Sequence, residues 1–196
     1  MTKLGATILA LIVLVALGFA SMVSFGSAGS RRESAAKSIA PLPVSPAPGA
    51  PLAIPVAGVT ADKLSDTWGQ SRGGGSRAHQ AIDIISAGGT PVVAAAPGRV
   101  EKLFDSKAGG ITLYVRSRDR AWSYYYAHLA SYAPGIREGM TVRTGTLLGF
   151  VGDTGNAGPG NTHLHFGVNR MRPDDPWYRG EPRNPYPLLA GNALRR

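Results

Sequence analysis

Short apolar segments separated by turn-forming residues dominate this chain after residue 60. Each is five or six residues long, and Gly, Pro, Asp or Asn stands between them; the chain has 26 Gly and 15 Pro. Strands of this length with turn signals between them predict an all-β, mainly antiparallel domain, and no long helical period competes with that interpretation. The predicted strands cover residues 81–85, 91–95, 99–104, 111–116, 122–126, 147–151 and 164–168.

The N-terminal segment is of a different kind. Residues 4–30 carry no charge, and Lys3 gives the segment a positive start. A helix over residues 4–25 would span roughly 33 Å at about 1.5 Å per residue, which matches a bilayer core. The small-residue pairs Gly18/Ala20 and Gly26/Ala28 both offer a cleavage site. Residues 1–30 are therefore predicted to be either a signal peptide or an uncleaved membrane anchor, and both alternatives imply export.

The next segment, residues 31–59, is rich in Pro and Ala. Such composition favours extended, semi-rigid conformations and is not expected to build a core. We predict a linker there, followed by the all-β domain over residues 60–190 and a tail over residues 191–196.

Composition excludes several classes of function. The chain has no cysteine, so it cannot hold a disulfide scaffold, a thiolate zinc finger or a cysteine nucleophile. Its formal net charge is +9, but the basic residues are scattered over many loops of the predicted domain. A nucleic-acid-binding module would need them clustered with aromatic residues on one face. We therefore predict no nucleic-acid partner and only weak attraction to acidic surfaces.

All four histidines fall inside three short motifs, which include one aspartate. Alternate residues of a strand share a face, so His163 and His165 are expected to point the same way, with Leu164 and Phe166 on the opposite face. His79 and Asp83 are also an even number of positions apart. The motifs are His79-Gln80-Ala81-Ile82-Asp83, Tyr126-Ala127-His128-Leu129 and His163-Leu164-His165-Phe166.

Two imidazoles and a carboxylate suit a catalytic zinc ion, because three such ligands leave a fourth position for water. Zinc lowers the pKa of that water to about 7. The chain has no H-E-x-x-H motif, so no glutamate base is presented in that way. His128 and whichever of His163 and His165 is not a ligand are left to accept a proton and to stabilise the developing oxyanion.

These residues resemble the lysostaphin-type (LytM-like) zinc metalloendopeptidases, a family of peptidoglycan hydrolases. The resemblance runs from about Asp66 to Pro185. The motifs that carry it, in order, are Ser76-Arg77-Ala78-His79, Ala81-Ile82-Asp83-Ile84, Gly89-Thr90-Pro91-Val92, Ala96-Pro97-Gly98-Arg99-Val100, Tyr126-Ala127-His128-Leu129, Val142 with Gly145, Gly152 with Thr154-Gly155, the His163–Phe166 motif, and Asn184-Pro185.

The resemblance implies zinc as the cofactor, with His79, Asp83 and His165 as its ligands. It implies His128 and His163 as the catalytic pair, on a largely antiparallel sheet. In one respect the chain departs from the family: Ala81 stands where H-x-G-x-D would have glycine. An added methyl group there is expected to affect fine geometry more than ligand identity.

The resemblance therefore implies an exported zinc endopeptidase that hydrolyses the peptide cross-links of peptidoglycan. The alternative is a non-catalytic LytM-like domain that binds or activates a cell-wall amidase. The expected partners are peptidoglycan peptides, together with the membrane if residues 1–30 are retained. The expected location is the periplasm or cell envelope, with anchoring in the inner membrane in that same case. The sequence makes no prediction of oligomeric state.

Overall fold

The computed structural model describes residues 41–191. The predicted signal peptide or anchor, the first part of the predicted linker and residues 192–196 of the predicted tail lie outside the described residues. Within residues 41–191, no helix has the length and apolar character needed to cross a membrane.

The described region is built from short strands and one short helix. A 3-10 turn at Ala61–Lys63 precedes the first strand, and another at Gly73–Gly75 joins the first two strands. The elements are β1 (Ser71–Arg72), β2 (Arg77–Ala78), β3 (Ile82–Ile85), β4 (Pro91–Val93), β5 (Gly98–Ser106), β6 (Gly110–Ser117), β7 (Trp122–Tyr132), β8 (Thr141–Val142), β9 (Leu147–Val151), β10 (His163–Arg170), β11 (Glu181–Arg183) and α1 (Tyr186–Ala190).

Nine of these strands form one antiparallel sheet. Its main path runs in the order β11-β10-β7-β6-β5-β8, while β3 pairs with β10, and β9 pairs with both β7 and β4. Strands β1 and β2 form a separate two-stranded hairpin. The predicted all-β, mainly antiparallel fold is confirmed.

Each of the seven predicted segments contains or overlaps a strand, but lengths differ. Strand β7 continues to Tyr132 because an irregularity near His128 interrupts its alternation without ending its pairing. The sequence did not predict β1, β2, β8 or β11. These strands have only two or three residues, too few to show a period of two.

The core lies on one face of the central strands. Leu164 and Phe166 are fully buried in it, as the alternation of β10 predicts. On β7, Tyr126 and Tyr124 are likewise buried, whereas Tyr125 lies on the opposite face and stacks on Tyr114, with ring centroids 4.6 Å apart. The face that carries Tyr125 is the one on which the candidate site is built.

The second part of the predicted linker belongs to the domain, so the predicted boundary at residue 60 is too late. Leu52, Ile54 and Val56 are buried in the core. Val56 forms an isolated antiparallel bridge with Val92, and the amide of Leu52 donates to the carbonyl of Leu188. The prediction relied on the prolines, which prevent regular strand pairing. The apolar residues between them nevertheless pack against the sheet.

Candidate active site

Asp83 and His165 lie opposite each other on neighbouring strands. The antiparallel register of β3 and β10 pairs these two residues, so their side chains share a face. His165 Nδ1 is 3.1 Å from Asp83 Oδ1. The sheet thus brings together two side chains that are 82 positions apart in the sequence.

His79 reaches the same point from outside the sheet. The strand that carries Asp83 begins only at Ile82, so His79 is not part of it. The even spacing of His79 and Asp83 in the sequence therefore does not explain why their side chains meet. Instead, the amide of His79 donates to the carbonyl of Gln70 and its carbonyl accepts from the amide of Gly69, each at 2.8 Å. Its Nδ1 donates to the carbonyl of Thr67 at 2.8 Å, which leaves Nε2 free to face Asp83.

Three ligand atoms converge: His79 Nε2, Asp83 Oδ1 and His165 Nδ1. The two nitrogens are 3.1 Å apart, and the oxygen lies 3.2 Å from His79 and 3.1 Å from His165. Zinc holds such ligands at about 2.0–2.1 Å, which in a tetrahedron separates them by about 3.3 Å. Both the spacing and the donor set of two imidazoles and one carboxylate fit a zinc ion, with one position left open.

The electrostatics of this cluster favour metal binding. Burial alone would raise the pKa of the Asp83 carboxyl, but hydrogen bonds and charge from His165 and His79 outweigh burial and lower it. Burial lowers the pKa of His165, against the opposing effect of Asp83. The second oxygen of Asp83 is bound by the Arg72 guanidinium, with Nη2 2.5 Å from Oδ2. Asp83 therefore offers one oxygen to a metal while Arg72 holds the other.

His128 lies on β7 in an unusual backbone conformation. Its φ is 59°, in the left-handed region, where a side chain with a Cβ costs about 1–2 kcal/mol. Its amide donates to the carbonyl of Gly109, and its Nδ1 donates to the carbonyl of Thr154 at 2.7 Å. Burial lowers the pKa of the ring to about 4, against the opposing effect of the Thr154 hydrogen bond. The ring is neutral at pH 7 and presents a free Nε2.

His163 is the first residue of β10 and lies beside His128. The two ring centroids are 4.9 Å apart. His163 Nδ1 donates to the carbonyl of Asn161 at 2.8 Å, and Nε2 lies 3.7 Å from Asp83 Oδ1. Like His128, it donates Nδ1–H to a backbone carbonyl and turns Nε2 towards the ligand cluster.

The Thr154 carbonyl that orients His128 is itself held in place. Thr154 Oγ1 donates to the carbonyl of Leu129 at 2.8 Å and accepts from the amide of Ile111 at 3.0 Å. Two glycines allow this close approach: a Cβ on Gly110 would come 2.2 Å from Thr154 Oγ1, and one on Gly155 would come 2.3 Å from the Gly110 nitrogen. The loop after β9 is therefore packed directly against the start of β6.

The cluster opens into a cleft of about 400 Å³. Asn156, Ala157 and Asn161, from the loop between β9 and β10, form part of its wall. A second groove of about 500 Å³ adjoins it past Tyr125 and His165. An extended ligand that lies across the ligand cluster could thus occupy both the cleft and the adjoining groove.

The structure brings together all five predicted site residues, His79, Asp83, His128, His163 and His165. Their individual roles as ligands or catalysts stay a prediction. Ala81 is fully buried. Within residues 41–191 only Arg120 and His128 combine a side chain with positive φ, so Ala81 occupies its position without the conformation that would require glycine.

Sequence reasoning missed two arginines in the cleft. The resemblance included Arg77 but gave it no role. Arg72 lies on β1, and a strand of two residues carries no period that could place its side chain. The pairing of Arg72 with Asp83 depends on the hairpin, which no local pattern predicted.

Comparison with known proteins gives consistent matches. The family model described as Peptidase family M23 matches residues 77–185, more than half of the chain. An L-Ala–D-Glu endopeptidase of Bacillus subtilis is 35% identical over 129 residues, which cover 63% of this chain and 38% of that protein. The murein hydrolase activator NlpD of Escherichia coli is 28% identical over 130 residues, which cover 66% of this chain and 30% of that protein.

The fold also matches a solved structure. The catalytic domain of the antimicrobial peptidase lysostaphin from Staphylococcus simulans aligns with a TM-score of 0.54 at 24% identity, over 66% of this chain and 94% of that domain. The lysostaphin-like fold predicted from the sequence is confirmed. Both sequence relatives are much longer than the part that matches: this chain covers 38% of one and 30% of the other.

Proposed function

This chain belongs to peptidase family M23, and we propose that it is a zinc-dependent endopeptidase that cleaves peptide bonds in peptidoglycan. The family takes part in peptidoglycan hydrolysis, through peptidases and through activators of other hydrolases. The observation that carries the catalytic assignment is the convergence of a complete ligand set with two further histidines whose Nε2 atoms are free.

His79, Asp83 and His165 would hold the metal through the three atoms that lie 3.1–3.2 Å apart. When bound there, zinc would supply Lewis-acid activation of water and of the scissile carbonyl. Arg72 keeps the carboxylate of Asp83 oriented through its second oxygen. Outer contacts of this kind fix the direction of a ligand and tune its basicity.

His128 is suited to accept a proton from water. Its pKa is lowered to about 4, so the ring is neutral at pH 7 and the Nε2 lone pair is available. The Thr154 carbonyl fixes the tautomer, because it accepts the Nδ1 proton. A proton accepted at Nε2 can then be passed to the leaving amine, as general acid–base catalysis requires.

His163 stands on the same side of the cluster. Its Nδ1 proton is donated to Asn161, so Nε2 is the atom it can offer to a substrate. When that ring carries a second proton, Nε2–H can donate to the oxygen on which negative charge develops. The two rings lie 4.9 Å apart, so one could act as base while the other stabilises charge.

The similarity to NlpD supports a second candidate, a domain that activates a cell-wall amidase without hydrolysing peptides itself. A domain with that role alone has no need of a metal or of free imidazole nitrogens. This site has a set of metal-ligating atoms and two histidines with free Nε2 atoms, and we therefore prefer the catalytic role.

We place the activity in the cell envelope or periplasm, where peptidoglycan peptides are found. Export by residues 1–30 stays a prediction, as does their retention as an anchor, since these residues lie outside the described part of the chain.

The proposal is tested with the purified full-length protein. Metal content is measured by mass spectrometry, and purified peptidoglycan is incubated with the protein, with the protein after chelation, and with chelated protein resupplied with zinc. We expect about one zinc per chain and new peptide termini that disappear on chelation and return with zinc. The control variant is His163→Ala, which keeps the three proposed metal ligands. It should bind zinc but release few new peptide termini. Stimulation of an amidase without new peptide termini would favour the activator instead.

A further inference from the structure

The cleft and its adjoining groove carry an unbalanced charge. Arg72, Arg77 and Asp83 are the non-histidine charged residues that line them within residues 41–191. Two guanidinium groups therefore face one carboxylate, before any metal adds its own positive charge. The surroundings of the candidate site favour an anionic ligand.

Of the two arginines, Arg72 is already engaged. Its Nη2 donates to Asp83 Oδ2 at 2.5 Å. The positive charge of Arg72 is therefore already balanced by the carboxylate of the ligand cluster.

Arg77 is exposed and makes no side-chain hydrogen bond or ion pair with any other residue of the described domain. It lines both the cleft and the adjoining groove, so it stands where the two meet. In the groove its neighbours include Gln80 and Asn169, whose side chains also have no hydrogen-bond partner among residues 41–191. Three polar side chains are thus free to bind one ligand.

The hairpin sets the two arginines side by side. In the register of β1 and β2, Arg72 and Arg77 lie directly opposite each other. Like charges at such a pair repel. Asp83 balances the charge of Arg72, whereas Arg77 has no acidic partner among residues 41–191, and a bound carboxylate would supply one.

We propose that Arg77 binds a free carboxylate that the substrate peptide carries next to the scissile bond. This inference rests on the proposed function and names its substrate class: acidic peptides, in preference to uncharged cross-links such as oligoglycine. Arginine suits the role because its planar guanidinium can donate two parallel hydrogen bonds to one carboxylate.

Three probes test the proposal on the full-length zinc-loaded protein. They are cross-linked muropeptides with free carboxylates, the same muropeptides with those carboxylates converted to carboxamides, and pentaglycine. Hydrolysis is followed by mass spectrometry, and binding is followed separately by calorimetry. The variants are Arg77→Gln, Arg77→Lys and a control, Arg118→Gln, which removes the same charge from an exposed position that lines neither the cleft nor the groove.

We expect the wild type to prefer the free acid over the carboxamide by about 10- to 100-fold in kcat/KM, the range typical of a charge-assisted hydrogen bond. Arg77→Gln should reduce this preference to less than about threefold, mainly through KM. It should leave zinc content unchanged and should reduce hydrolysis of the carboxamide much less than hydrolysis of the free acid. Arg77→Lys should recover part of the preference, and Arg118→Gln should keep all of it.

A preference that survives in Arg77→Gln, or equal cleavage of acid, carboxamide and pentaglycine by the wild type, would overturn the proposal. The calorimetric binding measurement distinguishes failure of the carboxylate site from failure of the proposed endopeptidase function. If the wild type hydrolyses none of the probes but binds the acid more tightly than the carboxamide in an Arg77-dependent way, the carboxylate site stands and the endopeptidase assignment falls.

Discussion

The carbonyl oxygen of Thr154 lies 2.7 Å from Nδ1 of His128 and holds its imidazole in a single tautomer. The consequence is a free Nε2 that faces the ligand cluster. Thr154 itself is fixed by two hydrogen bonds to the backbone of Leu129 and Ile111. The loop after β9 and strands β6 and β7 are therefore all required to orient one nitrogen atom.

The first prediction separates catalysts from ligands. His128→Ala and His163→Ala should keep their zinc, because neither side chain supplies one of the three converging atoms. Each should lose about 10²–10⁴-fold in turnover, the usual contribution of general acid–base catalysis. Zinc content and hydrolysis of peptidoglycan are measured on the same samples. If His163→Ala were metal-free while His165→Ala kept its zinc, the roles of this pair would be reversed.

The second prediction concerns the ligands. Asp83→Ala and His165→Ala should lose zinc and activity together, since two remaining protein ligands hold zinc poorly. Competition with a chelator gives the zinc affinity of each variant. A variant that retains stoichiometric zinc and normal turnover would exclude its residue from the ligand set.

The third prediction tests the loop that orients His128. Gly155 and Gly158 both have positive φ, 71° and 90°, so alanine at either position carries the cost of the left-handed region, about 1–2 kcal/mol. A Cβ at Gly155 would also meet the Gly110 nitrogen at 2.3 Å, whereas one at Gly158 meets nothing within 4 Å.

Gly155→Ala should therefore displace Thr154, reduce activity at least about tenfold and cost about 1–3 kcal/mol of stability more than Gly158→Ala. Both variants should bind zinc. Thermal unfolding and turnover are compared side by side, and equal effects in the two variants would show that the close approach at Gly155 does not position the histidine.

The sequence predicted the ligand cluster better than it predicted its surroundings. His163 and His165 alternate on a strand, and a period of two is visible in any sequence that has it. The register that sets His165 opposite Asp83 follows from the pairing of β3 with β10, which no local signal specifies. The resemblance to a family supplied that information. The positions of Arg72 and Arg77 depend on a hairpin whose strands have only two residues each. The burial of Leu52 depends on packing between prolines. None of these three positions could be predicted from periodicity.

The fourth prediction is a pH dependence in the metal-free protein. In the unfolded chain His128 should titrate near the ordinary value of about 6.5, whereas burial lowers its pKa in the folded chain to about 4. Between these values the unfolded state binds the proton and the folded state does not. The contribution of His128 is therefore complete above about pH 6.5 and is lost as the pH falls towards 4.

Urea unfolding in the presence of a chelator, at pH 7 and at pH 4.5, measures this effect. The urea midpoint should fall on acidification, and it should fall less in His128→Gln. Some loss should persist in that variant because the lowered pKa of His165 acts in the same direction. A variant that loses as much stability as the wild type over this interval would show that His128 is not held neutral by burial.

The last prediction concerns the segment before residue 60. Leu52 is buried in the core, and its amide donates to the carbonyl of Leu188. Leu52→Ala should cost about 2–5 kcal/mol, the usual range for removing a buried leucine side chain. Ile85 has 72% of its surface exposed, so Ile85→Ala is a matched aliphatic control that should cost less than about 1 kcal/mol. A chain that begins at residue 60 should also unfold at a lower temperature than one that begins at residue 41, because it lacks the buried residues of this segment and leaves Val92 without its bridge partner Val56. Thermal unfolding of the four proteins decides the matter. Equal stability of the two shortened chains would show that residues 41–59 only tether the domain, as their proline content first suggested.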